Sequence, residues 1–265
     1  SALGVEIERI DSSKSAQKVL ELLAIGVPVI LKQNDQAESW LGKKVMSLLN
    51  GIDAEELKDP TIREKVSVDL RRAALREHSI ENRLQQIRKQ SGLSIFREPS
   101  VSVIVATNRP DMTERIFNTV KQQDHKNLEL VLALHGEGFE DSYPNFFESD
   151  IGVTVLRYPK ETIFGNVLSE ASSAASGEWI AKMDDDDWYG EEHISDLLLA
   201  AGYSNADLVG KGSEFVYLSE ENLTIRRDLG DSEVESRTIG GGAILVKAEI
   251  FREINGWREL ARGVD

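Results

Sequence analysis

No cysteine occurs among the 265 residues. That absence excludes a disulfide framework, thiolate nucleophiles and cysteine metal ligands. Long apolar stretches are missing too. No run approaches the roughly 18 residues that a transmembrane helix needs, and no basic-then-apolar leader opens the chain. A cytoplasmic protein is expected, with peripheral association at the inner face of the membrane as a variant of that expectation. Histidines number only four. None of His125, His135 and His193 has a partner at metal-ligand spacing, so each is expected in a structural or exposed position. Proline is scarce at six residues, and no internal repeat or low-complexity tract is present. What remains, 40% hydrophobic and 29% charged, suits a globular chain of one or two domains.

Positive charge is short in one half only. Residues 1–99 hold 16 Lys and Arg against 15 Asp and Glu, whereas residues 100–265 hold 15 against 31. An acidic half of this kind repels nucleic-acid phosphates, so no DNA or RNA partner is expected. An anionic nucleotide could bind there only if a metal ion or local cations offset the charge.

The hydropathy pattern changes character along the chain. Residues 14–26 have helical spacing and end at Gly26, a suitable C-terminal cap. Residues 27–31 read as a short buried strand, and residues 35–50 as a second helix stopped by Gly51. Asp59 before Pro60 starts a further helical stretch to about Gln90, broken near His78 and Ser79. Residues 91–100 form a linker, since Pro99 disfavours helix at Glu98. From Val101 onward strands alternate with helices: strands at 101–106, 128–134, 152–158 and 178–183, helices at about 112–123 and 164–176. That order predicts a doubly wound parallel sheet, whose ligands sit at the carboxyl ends of the strands. Residues 1–97 and 98–265 are therefore expected as two regions, a smaller α/β-to-helical one and a larger α/β one.

Four consecutive aspartates, Asp184 to Asp187, follow the strand at 178–183. Adjacent carboxylates repel, and a hard divalent cation is the sharpest reason to gather them. Alternation along an extended backbone pairs Asp184 with Asp186, or Asp185 with Asp187. A helix–loop–helix calcium site fails, because Tyr189 and Asp196 stand where ligands belong and a strand precedes the loop. The competing reading is a solvated loop capping a helix that begins near Glu191.

Three stretches in succession, "VSVIVATNRP", "ASGEWIAKMDDDDWY" and "REINGWRELARGVD", resemble the motifs of family 2 glycosyltransferases of the GT-A fold. The resemblance covers about residues 100–265, and its middle motif is the most specific. It implies a metal-dependent transfer, with inversion, of a sugar from a nucleotide-diphosphate sugar to a hydroxyl acceptor such as a glycan. A UDP-sugar is the first expectation for the donor, and Mn²⁺ or Mg²⁺ for the cofactor. Carried over residue by residue, Ala106, Thr107, Asn108 and Arg109 would hold the nucleotide. Asp184 would lie at the ribose or in the metal shell, Asp185 among the nucleotide-sugar contacts, and Asp186 on the metal. Asp265 would be the general base. Residues 1–95 resemble the C-terminal end of a GT-B glycosyltransferase, a partial domain read as a packing platform.

Departures from the family pattern sit at His135, near the place of an aspartate that reads uracil in relatives, and at Val264, in place of a glutamate. Asp265 is the last residue, so an intact enzyme is expected to continue past it. A non-catalytic nucleotide-sugar-binding module is the alternative from another class. Gly240 to Gly242 read equally as a close approach to a sugar or as a loop needing positive φ. Trp188 and Trp257 could stack on a sugar, although packing is the commoner use of tryptophan.

Overall fold

The computed structural model describes residues 4–33, 37–94, 97–140, 143, 150–228 and 232–263. The chain divides into two compact units, Ser1–Arg97 and Glu98–Asp265.

In the first unit, strands β1 (Val5–Arg9) and β2 (Val29–Gln33) pair in parallel. Around them lie α1 (Ser13–Ala24), α2 (Ala37–Asn50), α3 (Pro60–His78) and α4 (Ile80–Gln90). Val19, Leu23, Leu41, Val45 and Leu70 fill the core. Local chemistry sets the boundaries. Ser12 and Ser15 form a capping box at the start of α1. Asp59 accepts from the amides of Thr61 and Ile62 before Pro60. Ser79, extended at φ −60° and ψ 157°, ends α3 and caps α4 by accepting from the Asn82 amide. Helix α4 buries none of its residues, and Ile80, Leu84 and Ile87 stand exposed along it. Strand β1 went unnoticed in the sequence because "VEIER" is short and only half apolar.

The second unit is built on a six-stranded sheet. Its strands are β3 (Val101–Thr107), β4 (Leu128–His135), β5 (Gly152–Tyr158), β6 (Trp179–Met183), β7 (Leu208–Gly210) and, after the hairpin β8 (Phe215–Leu218) and β9 (Leu223–Arg226), β10 (Ala243–Lys247). The spatial order is β5-β4-β3-β6-β10-β7. Helices α5 (Thr113–Lys121) and α7 (His193–Ser204) cover one face, packing Ile116, Phe117, Val120, Ile194 and Leu197 onto Val103, Val105, Leu130 and Leu132. Helices α6 (Phe164–Ser173) and α8 (Ala248–Glu253) cover the other, with Val167, Leu168, Ala171 and Phe251 against Ile104, Val131 and Ala133. Burial on both faces is why these strands read as unbroken apolar runs.

The four strands β5, β4, β3 and β6 are parallel, as expected. Strand β10 is the antiparallel member of this mostly parallel sheet: it runs antiparallel to both neighbours, β6 and β7. Gly177, before β6, lets the chain close onto β3. A Cβ there would stand 2.7 Å from the Ser102 amide nitrogen, and the Gly177 amide donates to the Ser102 hydroxyl at 2.8 Å. Because β4 lies on one side of β3 and β6 on the other, the sheet opens a crevice at the carboxyl ends of β3 and β6. Among the described residues, no helix is long and apolar enough to cross a membrane.

Candidate functional site

Two loops leave the sheet into that crevice. The first leaves β3 at its last residue, Thr107, and carries Asn108 and Arg109; the second follows β6 and carries the four aspartates. The Thr107 hydroxyl donates to Asp185 Oδ2 at 2.5 Å, and Arg109 Nε donates to the same oxygen at 2.9 Å. Arg109 Nη2 bonds Asp185 Oδ1 and also lies 3.0 Å from Asp186 Oδ2. Those bonds hold the Arg109 guanidinium charged even more firmly than usual, Asp185 first and Asp186 next. Thr107 also accepts from the Arg109 amide at 3.0 Å, which fixes the turn between them.

Asp184 faces the other way. Its Oδ1 receives Lys182 Nζ at 2.8 Å, and the same ammonium donates to the Gly241 carbonyl at 2.8 Å. Lys182 lies inside β6 with its side chain 5% exposed, so the pair spans interior and crevice. Tyr189 completes the loop: its hydroxyl accepts from the Asp184 amide at 2.7 Å and donates to the Gly242 carbonyl at 2.6 Å. Burial pushes the Tyr189 phenol far above its ordinary range, so it remains a neutral donor. Partial burial, then the neighbouring charges of Asp184 and Asp186, push the Asp187 carboxyl upward. Arg115 from α5 closes the outside of the loop. It donates to the Asp187 carbonyl at 2.9 Å and lies over the Trp188 ring at 5.2 Å.

Glycine at 242 is a steric requirement. A Cβ there would stand 2.6 Å from Asp184 Oδ2 and 2.8 Å from Asp187 Oδ2. Gly240, Gly241 and Gly242 all lack positive φ, which removes the positive-φ reading of this stretch. Their close neighbour is the chain itself, through Asp184 for Gly242 and the Lys211 carbonyl for Gly240. The helix-capping reading of the aspartates also fails. Helix α7 begins two residues past Glu191, with Glu192 at the cap position and no side-chain cap bond.

An open cleft of about 470 Å³ lies beside the loop, lined by Ala106, Thr107, Asn108, His135, Phe164 and Asp185. His135 thus belongs to the crevice rather than to the plain structural or exposed position expected from the sequence. Its ring stacks on Phe164, and its Nε2 is buried with no hydrogen-bond partner among the described residues. His193 sits behind the loop, edge-on to Tyr189 at 4.8 Å, and burial lowers it to about 3. His125 is structural: its Nε2 donates to the Pro99 carbonyl at 3.0 Å. Trp257 is a packing residue: its indole donates to Ser172 Oγ at 2.9 Å and its ring lies 5.2 Å from Phe251. Trp188 is 86% exposed. Gly165 lets the segment after Trp257 lie on α6, since a side chain there would collide with the Arg258 carbonyl. Val264 and Asp265, the expected base, lie outside the described residues.

The donor set fits a hard divalent cation in one particular way. Among the described residues, no three His, Asp or Glu side chains gather into a cage. Asp186 offers a carboxylate 57% exposed, and the Asp184 side chain, bonded to Lys182 through Oδ1, is 41% exposed. One or two carboxylates, completed by phosphate oxygens and water, is the usual protein share for Mg²⁺ and similar ions. Lys182, Tyr189 and Arg115 are the site residues that sequence reasoning missed, and Gly242 was singled out for another role than the close approach to Asp184 that it makes. A lysine inside an apolar strand was the one available signal.

Comparison with known proteins finds similar chains. EpsH of Bacillus subtilis (strain 168), named as a glycosyltransferase, is 28% identical over 116 residues, covering 42% of this chain and 33% of that protein. Similar solved structures include mannosyltransferase PcManGT from Pyrobaculum calidifontis in complex with GDP-Man and Mn²⁺, at a TM-score of 0.48 and 16% identity. That alignment covers 71% of this chain and 58% of the other. S. aureus TarS 1–349 in complex with UDP-GlcNAc aligns at a TM-score of 0.49 and 18% identity, over 63% of this chain and 51% of the other. The chain therefore spans a third of the curated relative and little more than half of these solved chains. Residues 102–236, just over half of the chain, match the sequence pattern described as glycosyl transferase family 2. By that match, which spans most of the mainly parallel sheet, the chain belongs to glycosyl transferase family 2.

Proposed function

We propose that this chain carries the donor half of a metal-dependent, inverting glycosyltransferase that uses a nucleotide-diphosphate sugar, a UDP-sugar first, and a glycan or other hydroxyl acceptor. One observation supports this most: an acidic loop and a Thr-Asn-Arg turn, from different strands, meet at the carboxyl ends of β3 and β6. Ala106, Thr107 and Asn108 line the cleft that would take the nucleoside, with His135 and Phe164 at its far wall.

Asp186, with Asp184 beside it, would hold Mn²⁺ or Mg²⁺; the bound cation would supply charge neutralisation as the nucleotide departs. Lys182 keeps Asp184 oriented, and Tyr189 fixes the loop's exit. Arg109 adds a permanent positive charge within reach of a bound diphosphate. A carboxylate base, assigned to Asp265 by the family resemblance, would take the acceptor's proton during in-line attack.

Calorimetric titration of UDP, GDP, CDP and dTDP, with Mn²⁺ and with EDTA, tests the reading on the wild type and Asp186→Ala. Binding of one nucleotide that needs the metal and is lost in the variant is expected. No binding of any nucleotide under either condition would remove the assignment.

A further inference from the structure

The acidic loop already has a cation on it, and that cation is a side chain. Arg109 bridges two aspartates unequally. Toward Asp185 it presents two nitrogens to two oxygens, Nε to Oδ2 at 2.9 Å and Nη2 to Oδ1, while the Thr107 hydroxyl adds a third bond at 2.5 Å. The Asp185 side chain is 10% exposed. A fork-on-carboxylate pair with this backing is the strong, geometrically fixed kind. Toward Asp186 the guanidinium gives a single shared nitrogen at 3.0 Å, and that carboxylate is 57% exposed. The two contacts therefore differ in what each costs to break. Asp185 is the anchor, and Asp186 is the end that lets go.

A guanidinium and a divalent cation cannot share Asp186 without strong mutual repulsion. Asp185, with both oxygens used, is not available to a donor molecule either. We propose that Arg109 is the built-in counter-ion of the acidic loop: it occupies Asp186 until a divalent cation arrives, then swings on its Asp185 anchor to meet the donor's diphosphate. Thr107 and Asp185 are then positioning residues for Arg109 rather than nucleotide ligands. The inference rests on the proposed transferase reading and deepens it. It carries a specific coupling: cation and diphosphate each favour the arrangement in which Arg109 has left Asp186, so each strengthens the other.

The test measures Mn²⁺ binding to nucleotide-free protein by electron paramagnetic resonance, and UDP binding with Mn²⁺ by calorimetry. Both are applied to the wild type, Arg109→Gln and Arg109→Lys. Removing a competing charge-assisted contact should tighten Mn²⁺ binding to nucleotide-free Arg109→Gln by about tenfold. The same variant should bind UDP with Mn²⁺ more weakly than the wild type. Arg109→Lys, which keeps the charge without the fork, should move both values in the same directions by less, and it serves if Arg109→Gln fails to fold. A residue of merely structural importance would not improve metal affinity when removed. Unchanged or weaker Mn²⁺ binding to either folded variant overturns the proposal. A wild type that binds no nucleotide with Mn²⁺ overturns the transferase reading instead, and the Mn²⁺-only arm still decides the counter-ion role.

Discussion

Substituting alanine for Gly242 perturbs the acidic loop through one methyl group and leaves every loop residue in place. The new Cβ would stand 2.6 Å from Asp184 Oδ2, against 3.4 Å for the start of ordinary contact, so the carboxylate must retreat by about 0.8 Å. Retreat is constrained, because Oδ1 of the same group holds Lys182 at 2.8 Å and Lys182 is itself held by the Gly241 carbonyl. Asp187 Oδ2, 2.8 Å from the added atom, must move as well. Metal–ligand distances tolerate shifts of only about 0.2 Å. Losing one charge-assisted contact costs ~1.5–3 kcal/mol, or roughly 10- to 150-fold in metal-dependent nucleotide affinity. The backbone at Gly242 has no positive φ, so the stability cost should stay near ~1–2 kcal/mol, typical of modest overpacking. Titration of UDP with Mn²⁺, checked against a thermal melt, reads both numbers. A folded Gly242→Ala protein that binds UDP and Mn²⁺ as tightly as the wild type would refute the assignment of these carboxylates to the metal.

Two further outcomes follow from buried groups around the loop. Lys182→Met leaves Asp184 without its ammonium. Since the Asp184 side chain is 41% exposed, the cost should be ~1–2 kcal/mol rather than the ~3–5 of a fully buried pair. That is a fall in Tm of roughly 2–8 °C, and Lys182→Met with Asp184→Asn should recover most of it; additive losses in the double variant would count against the pair. His193 has its folded-state value lowered by burial to about 3 from 6.5. The unfolded chain therefore takes up a proton first, and stability should drain away as pH falls from about 6.5 toward 3. His193→Phe should flatten the wild-type loss of Tm between pH 6.5 and 4.5, whereas equal slopes for the two proteins would contradict a neutral buried imidazole.

Much of the second unit was legible because strands buried on both faces leave continuous apolar runs, as in "VSVIVA" before Thr107. The position of the acidic loop followed from the same pattern, since a ligand crevice opens where parallel strands end. Direction was not legible. "AILVK" reads as a strand in either orientation, and only pairing with both β6 and β7 makes β10 antiparallel. Nor could the four aspartates be told apart by their letters. Their roles separate only when the chain leaves β6 and turns Asp185 toward Thr107 and Arg109, and Asp184 toward Lys182. The part played by Tyr189, and the true neighbour of Gly242, escaped notice for a related reason. Their importance is a contact across 53 residues of sequence, which no local pattern carries.

That late strand has a consequence for how the protein comes into being. Strand β10 lies between β6 and β7 in space but follows both in sequence. A chain emerging from the ribosome exposes β6 with one unpaired edge for some sixty residues of synthesis before Gly241 and Gly242 arrive to complete the acidic loop. Expressing residues 102–236 alone, the stretch that defines the family match, would strand β6 in that half-finished condition for good. Its open edge would invite association between chains, and Lys182 and Tyr189 would be left without the carbonyls that hold them. The smallest piece worth making in isolation therefore extends through β10.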